Sequence, residues 1–164
     1  MVGLIGFPNP VNEVSARLVA LGVVVMAVLT IALNQPWITI LIAYGFVARV
    51  LTGPKLSPLG QFVTRVVTPR LPVAPRMVPG PPKRFAQGMG AAFSVTACIL
   101  AVGFGFHLAG YILLGLLIAA ATLESVFAFC LGCKIFALMM RRGWIPESVC
   151  EECADIYRRN AAAA

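Results

Sequence analysis

The chain has 164 residues, of which 60 % are hydrophobic and only 12 % are charged, and its mean hydropathy is +0.91. Soluble domains have about 45–50 % apolar and about 25 % charged residues, so this composition argues against a soluble enzyme, a disordered chain or a secreted disulfide scaffold. The formal charge of +7 would suggest a nucleic-acid partner in a soluble protein. In a membrane protein the same excess is typical of the positive-inside bias. We therefore expect an all-α integral membrane protein with no nucleic-acid partner.

Four apolar segments predict four transmembrane helices, which are expected at residues 16–34, 36–52, 85–106 and 109–131. Asn34-Gln35-Pro36 separates the first two, and a glycine-rich turn at residues 103–110 separates the last two, so the spans form two helical hairpins. The second span is short, at about 24 Å for sixteen helical residues. A re-entrant segment is the alternative interpretation of that stretch.

The loop at residues 53–84 is basic and rich in proline. It contains six basic residues, no acidic residue and eight prolines, which favour an extended backbone over a continuous helix. Residues 57–67 are an exception, because their apolar positions follow a helical spacing: Leu59, Phe62, Val63, Val66 and Val67. This pattern predicts an amphipathic helix on the bilayer surface, with the basic residues of the loop facing anionic lipid headgroups.

The charges are distributed unevenly between the two ends of the predicted spans. Lysine and arginine residues fall on one side, whereas the turns at residues 34–37 and 103–110 carry no formal charge. By the positive-inside rule the basic side is cytoplasmic, so both termini are expected in the cytoplasm. Residues 1–164 are expected to form a single membrane domain.

Two charged residues are predicted to meet inside the membrane. Arg49 and Glu124 lie thirteen and fourteen residues after their respective outer turns, so both should sit at a similar depth. An acid within an apolar span is a functional hypothesis by default. The favoured interpretation is an Arg49–Glu124 ion pair that fixes helix packing. The alternatives for Glu124 are a proton-relay or ligand-binding role and a position that faces lipid.

Four of the five cysteines form two C-x-x-C motifs, Cys130 with Cys133 and Cys150 with Cys153. Residues 108–140 are predicted as one helix of about 50 Å that projects beyond the membrane, and residues 141–143 as a reversal. Folding back at that reversal brings the two pairs level within a cytoplasmic helical hairpin at residues 130–159, whose second arm is a short C-terminal helix.

Three interpretations assign this tetrad of cysteines a shared role, and the fourth is that the four are unrelated free thiols. The spacing suits a zinc site in which Cys130, Cys133, Cys150 and Cys153 supply four thiolates. A working dithiol is the second, with Cys130 and Cys133 as candidate catalytic residues activated by Lys134 and nearby arginines. An iron–sulfur cluster is the third. Zinc is the favoured candidate cofactor, though the sequence establishes none. The remaining cysteine, Cys98, is expected to be a buried small hydrophobe.

The single histidine does not point to haem. His107 lies on an outer turn among glycines, whereas a haem ligand is expected inside the bundle and usually with a partner. The sequence also contains no phosphate-binding loop or nucleophile elbow. A conventional nucleotide enzyme or hydrolase is therefore not indicated.

Four strings of residues carry a resemblance to a known family: Phe7-Pro8-Asn9-Pro10-Val11-Asn12-Glu13, Gly53-Pro54 with Ser57-Pro58-Leu59, Pro81-Pro82-Lys83-Arg84-Phe85-Ala86-Gln87, and Cys130-Leu131-Gly132-Cys133-Lys134. Over most of its length the chain resembles a bacterial membrane family, common in actinobacteria, that is described as domain of unknown function 4395. The resemblance implies a four-helix protein of the bacterial inner membrane. It also implies an association with thioredoxin-like or sulfurtransferase proteins.

Two functions from different classes follow from these observations. The first is a thiol or sulfur redox relay in which Cys130 and Cys133 exchange with, or dock, a soluble thiol partner. The second is a non-catalytic, zinc-stapled accessory or assembly subunit of a larger membrane complex, or a homo-oligomer.

Overall fold

The computed structural model describes residues 6–151 and 153. Its helices are α1 (Glu13–Ala32), α2 (Ile38–Thr52), α3 (Pro58–Phe62), α4 (Gly80–Cys98), α5 (His107–Phe127) and α6 (Leu131–Arg141). Two short strands, β1 (Val11–Asn12) and β2 (Met77–Val78), pair antiparallel with Val11 opposite Val78. The chain is thus an all-α protein, apart from this small two-stranded ladder.

Four helical runs are long and apolar enough to cross a membrane: Glu13–Ala32, Ile38–Arg70, Gly80–Gly103 and His107–Phe127. They agree with the four predicted spans. In the bundle α2 packs mainly on α4 and α1 mainly on α5, while the α1–α2 and α4–α5 contacts complete a ring. The core between them is formed by small and aliphatic side chains with one aromatic ring: Val23, Ala27, Ile42, Phe46, Ala97, Leu114 and Leu117.

The outside of the bundle is apolar as well, as expected of a surface that faces lipid. Large hydrophobic side chains such as those of Leu21, Ile112 and Leu116 are about half exposed on the helices. In water such an extensive apolar surface would drive aggregation, whereas lipid tails can cover it. The exposed apolar surface and the four long helices therefore support the same conclusion, a multi-pass membrane protein.

The two uncharged turns lie at the same end of the bundle. The Tyr111 hydroxyl, in the first turns of α5, donates a 2.6 Å hydrogen bond to Oδ1 of Asn34, which follows α1. This contact joins the two turns directly. The opposite end of the bundle consequently carries the start of α1, the basic loop, the start of α4 and the end of α5.

The N-terminal segment closes this charged end. The Asn12 side chain accepts the N–H of Val14 and caps α1, while Asn9 accepts the N–H of Gly80 at the start of α4 with a 2.8 Å bond. Glu13 forms an ion pair with Arg76 at 3.1 Å. Side-chain caps satisfy backbone N–H groups that a helix start leaves free. One segment thereby fixes the starts of two different transmembrane helices.

The predicted amphipathic helix is present but is anchored to the bundle. Ser57 caps α3 by accepting the N–H of Gly60, and the helical path continues through Val63–Val67 and Thr68–Arg70. Val63 is buried and Leu59 packs against the bundle core, whereas Phe62 is exposed. The predicted apolar stripe is therefore divided between the protein interior and the outer surface.

Two helix boundaries differ from the sequence-based expectations. Helix α4 begins at Gly80, so Lys83 and Arg84 belong to its first turns and not to a loop that ends at residue 84. The stretch 108–140, predicted as one helix, is divided into α5 and α6 by residues 128–130. Both differences change the surroundings of the candidate functional residues.

Candidate functional site

The intramembrane acid pairs with a lysine. Nζ of Lys83 lies 2.6 Å from Oε1 of Glu124, and the two side chains are 8 % and 14 % exposed. The predicted partner of Glu124 was Arg49, so the structure corrects this assignment. Lys83 can reach Glu124 because α4 starts five residues earlier than predicted and carries the lysine into the bundle.

Arg49 is buried and takes neutral partners. Its Nε donates to Oε1 of Gln87 at 2.9 Å, and its Nη1 donates to Oγ of Ser57 at 3.1 Å. The guanidinium carbon also lies 4.5 Å from the centre of the Phe46 ring. These contacts join α2 to α4 and to the cap of α3. Arg49 therefore holds a buried positive charge through hydrogen bonds and a cation–π contact.

Arg49 and Glu124 nevertheless share one cavity, as their matched depth in the sequence suggested. This membrane cavity has a volume of about 320 Å³ and is lined by residues of α1, α2, α4, α5 and α6. Its walls are mostly apolar, and the polar side chains among them are those of Arg49, Gln87 and Glu124. Cys130 also lines this cavity.

The first C-x-x-C motif lies at a helix break. Helix α5 ends at Phe127, and Ala128 has a left-handed backbone conformation with φ of 55°. The side chain of Arg17 donates to the carbonyl oxygens of Ser125 and Val126 at 3.0 and 3.1 Å, which satisfies acceptors at the end of α5. A contact from α1 thus stabilises the termination that separates α5 from α6.

Cys130 is the N-terminal cap of α6. Its Sγ accepts a hydrogen bond from the backbone N–H of Cys133 at 3.3 Å, in the way that a serine or aspartate side chain caps a helix. Cys130 is buried, whereas Cys133 is partly exposed. The motif therefore lies in the first turn of a helix, where backbone N–H groups and the helix dipole favour negative charge.

The second C-x-x-C motif folds back onto the first helix of the hairpin. Helix α6 ends at Arg141 and Gly143 has a φ of 75°, as expected for the reversal. Cys150 and Cys153 pack in a small buried cluster with Phe136 and Met140 of α6. Residue 152 and residues 154–159 of the predicted hairpin lie outside the described residues.

All four cysteines form disulfides within their own motif, Cys130 with Cys133 and Cys150 with Cys153. Cys130, Cys133 and Cys153 line one cavity of about 230 Å³, which we call the cysteine cavity. Lys83 and Lys134 line the same cavity. The hairpin thus brings one member of the second pair beside the first pair.

In the part of the chain that the structure describes, no group of three or more His, Cys, Asp or Glu residues is placed to hold a metal ion. Cys98 is partly buried and has a free thiol. His107 begins α5 at the uncharged end, with its ring 6.3 Å from that of Tyr111. The zinc interpretation of the tetrad stays a prediction.

Lys83 and Gln87 are the residues of this site that sequence reasoning did not select. They lie four residues apart in the string that runs from Pro81 to Gln87, so both can face the bundle interior from one side of α4. The sequence feature that could have revealed Lys83 and Gln87 is the position of Pro81 and Pro82, since proline is well suited to the first turn of a helix. A helix start at that point places both polar side chains inside the bundle.

Comparison with known proteins identifies a family for most of the chain. Residues 11–141 match the family described as "Domain of unknown function (DUF4395)". Neither the curated proteins nor the solved structures gave a match. The matched region includes Cys130 and Cys133 and ends before Cys150 and Cys153, so the family assignment covers the first cysteine pair only. The chain belongs to the DUF4395 family.

Proposed function

We propose that this protein is a membrane-embedded dithiol–disulfide exchange protein in which Cys130 and Cys133 react with a soluble thiol partner. The observation that carries the proposal is the position of Cys130 as the cap of α6, with the Cys133 N–H donated to its sulfur. In the reaction, a thiolate of the partner attacks Sγ of Cys130, and Cys133 leaves as a thiolate. A second partner thiol resolves the mixed disulfide, so the partner is oxidised and the pair is reduced.

The helix start favours the thiolate that this chemistry requires. Thiolates are stabilised in the first turn of a helix and beside lysine or arginine side chains. Both features are present here, because Cys130 caps α6 and the cysteine cavity also contains Lys83 and Lys134. The charge of Lys83 is neutralised by Glu124. Lys134, which the sequence also indicated, is therefore the proposed activating cation.

The second pair extends the proposal to a relay. Cys153 lines the same cavity as Cys130 and Cys133, so a reduced Cys130–Cys133 pair can exchange with the Cys150–Cys153 disulfide across this cavity. A thioredoxin-like or sulfurtransferase protein is the proposed partner, since each presents a reactive cysteine. The exposed surface at the charged end, with Val149 and Trp144 about half exposed or more, is where such a partner would approach.

We further propose that the charged end of the bundle faces the cytoplasm of a bacterial inner membrane and that the basic loop contacts anionic headgroups. Basic residues favour the cytoplasmic side, and in the described residues they lie at the end opposite the Tyr111–Asn34 contact. Reduced cytoplasmic thiols also suit a pair that cycles rather than a permanent structural disulfide.

The orientation predicts a labelling pattern. In a variant without native cysteines, a cysteine at Leu108, which is 76 % exposed, should react with a membrane-impermeant maleimide added to intact cells. A cysteine at Met77, which is 60 % exposed, should react only after the membrane is opened. The two sites have comparable exposure, so steric access does not explain a difference. External labelling at Met77 with protection at Leu108 would reverse the orientation.

Thiol counting and metal analysis test the redox function against the zinc alternative. The chain has five cysteines, of which four are disulfide-bonded and Cys98 is free. In purified, metal-free protein a maleimide should add once before reduction and five times after incubation with thioredoxin and its reductase, and reoxidation should restore the first state. The Cys130→Ser/Cys133→Ser double variant should add three times after complete chemical reduction. One zinc per chain with four protected thiols would instead support the accessory-subunit function.

A further inference from the structure

The membrane cavity contains a buried cation, Arg49, whose hydrogen-bond partners are neutral, although the Glu124 carboxylate of the same cavity attracts it at longer range. In the described part of the chain, the hydrogen bonds of Arg49 go to Gln87 and Ser57 and engage two of the five N–H groups of a guanidinium. The carboxylate in the same cavity, Glu124, is engaged by Lys83. Among the described residues every fully buried side-chain nitrogen has a hydrogen-bond partner, so the remaining N–H groups of Arg49 are accessible from the cavity. A guanidinium that lines a mostly apolar cavity favours an oxygen acceptor that carries or develops negative charge.

The rest of the cavity suits an apolar ring with an apolar tail. Its volume of about 320 Å³ lies at the lower end of the range of about 300–1,000 Å³ for small-molecule sites. Leu116 and Leu123 line it and are also 55 % and 37 % exposed on the outside of α5, so the cavity reaches the surface that faces lipid. A ligand can therefore place its ring inside and leave its tail in the bilayer.

The Cys130–Cys133 pair borders this cavity. Cys130 lines both the membrane cavity and the cysteine cavity, so it lies between the lipid-accessible space and the site at which a soluble partner reacts. An apolar ring with oxygen acceptors, a lipid tail and the ability to take two electrons from a dithiol describes a quinone. We propose that the membrane cavity binds the ring of a lipid-soluble quinone, which oxidises the reduced Cys130–Cys133 pair; this inference rests on the proposed exchange function.

The reaction balances without a further reactant. The Cys130 thiolate adds to a ring carbon of the quinone, and Arg49 stabilises the negative charge that develops on the quinone oxygen. The Cys133 thiolate then attacks Sγ of Cys130, which forms the S–S bond and breaks the C–S bond. The two thiol protons go to the two ring oxygens, so one dithiol and one quinone become one disulfide and one quinol.

Binding can be tested without any turnover. The oxidised full-length protein in nanodiscs of phosphatidylethanolamine and phosphatidylglycerol is photolabelled with an azido-quinone, and the labelled peptides are identified by mass spectrometry. We expect labels on α4 and α5 at the membrane cavity, and competition by ubiquinone-1. Ala120→Phe, which fills the cavity, should reduce labelling at least tenfold, whereas Ile112→Phe, an exposed position of α5 outside the cavity, should not change it.

Turnover is then measured with ubiquinone-1 as the acceptor and thioredoxin, kept reduced by its reductase, as the donor. Ala120→Phe should lower quinone reduction at least tenfold and leave thiol exchange with thioredoxin unchanged, and Arg49→Gln should raise the KM for ubiquinone-1. Labelling that persists in Ala120→Phe, competition by a fatty acid but not by quinone, or active thiol exchange without quinone reduction would each overturn the inference. Absence of thiol exchange in the wild-type protein would contradict the proposed function. Quinone binding is measured separately, by photolabelling of the oxidised protein, so the two failures can be told apart.

Discussion

Replacing Glu124 with glutamine should lower the free energy of unfolding by about 3–5 kcal/mol, the usual cost of removing one partner from a buried ion pair. Lys83 would keep its positive charge in a site where its side chain is only 8 % exposed, and a neutral amide compensates that charge poorly. Lys83→Met should have a comparable effect, because it leaves the Glu124 carboxylate without its cation. The measurement is the circular-dichroism signal during titration from a mild detergent into sodium dodecyl sulfate.

The double variant and a second ion pair provide the controls. Lys83→Met/Glu124→Gln removes both charges and should be more stable than either single variant, since no buried charge is left unpaired. Arg76→Ala breaks the Glu13–Arg76 pair, in which Arg76 is 78 % exposed, and should cost about 0–1 kcal/mol. Losses in the two single variants that simply add in the double variant would show that Lys83 and Glu124 do not depend on each other.

The four spans could be predicted because their signal is local. Each consists of a long apolar segment between breaks, and the resulting spans lie within a few residues of the observed helices, apart from the early starts of α1 and α4. The uncharged turns and the reversal at Gly143 were predictable for the same reason. The counting of residues after each outer turn also indicated that Arg49 and Glu124 lie near each other, and both line the membrane cavity.

The partner of Glu124 was missed because of proline. Eight prolines in residues 53–84 indicated an extended loop, and Lys83 was therefore placed outside the membrane. Pro81 and Pro82 instead occupy the first turn of α4, where their missing N–H groups cost nothing. With Lys83 in the helix, the ion pair with Glu124 forms from α4, and Arg49 donates its hydrogen bonds to Gln87 and Ser57.

The break between α5 and α6 was missed because it depends on a distant residue. Residues 128–130 contain neither glycine nor proline, and their apolar character continues the helical pattern on both sides. The left-handed Ala128 is accompanied by hydrogen bonds from Arg17, more than a hundred residues away, to the last carbonyls of α5. Only the fold supplies that contact, and only the break turns Cys130 from a mid-helix residue into a helix cap.

The position of Cys130 predicts which cysteine attacks. We expect Cys133→Ser to react with thioredoxin whose catalytic cysteine carries thionitrobenzoate, to release the yellow leaving group and to accumulate a stable mixed disulfide through Cys130. Cys130→Ser should react at least tenfold more slowly, because Cys133 does not receive the N–H bond that stabilises the Cys130 sulfur. The assay requires Cys98, Cys150 and Cys153 to be replaced by alanine in both variants, with folding checked by circular dichroism.

The two variants are well matched structurally, which makes the comparison decisive. Serine is a favoured helix cap, so Cys130→Ser keeps an acceptor for the Cys133 N–H, and Cys133→Ser keeps that backbone donor. Cys133 is the more exposed of the two cysteines, so accessibility alone predicts the opposite order of reactivity from the one we expect. Faster reaction of Cys130→Ser would therefore show that access outweighs the helix start and that Cys133 is the attacking thiol. Equal, slow reaction of both variants, at the rate of a cysteine-free control, would remove the basis for the exchange function.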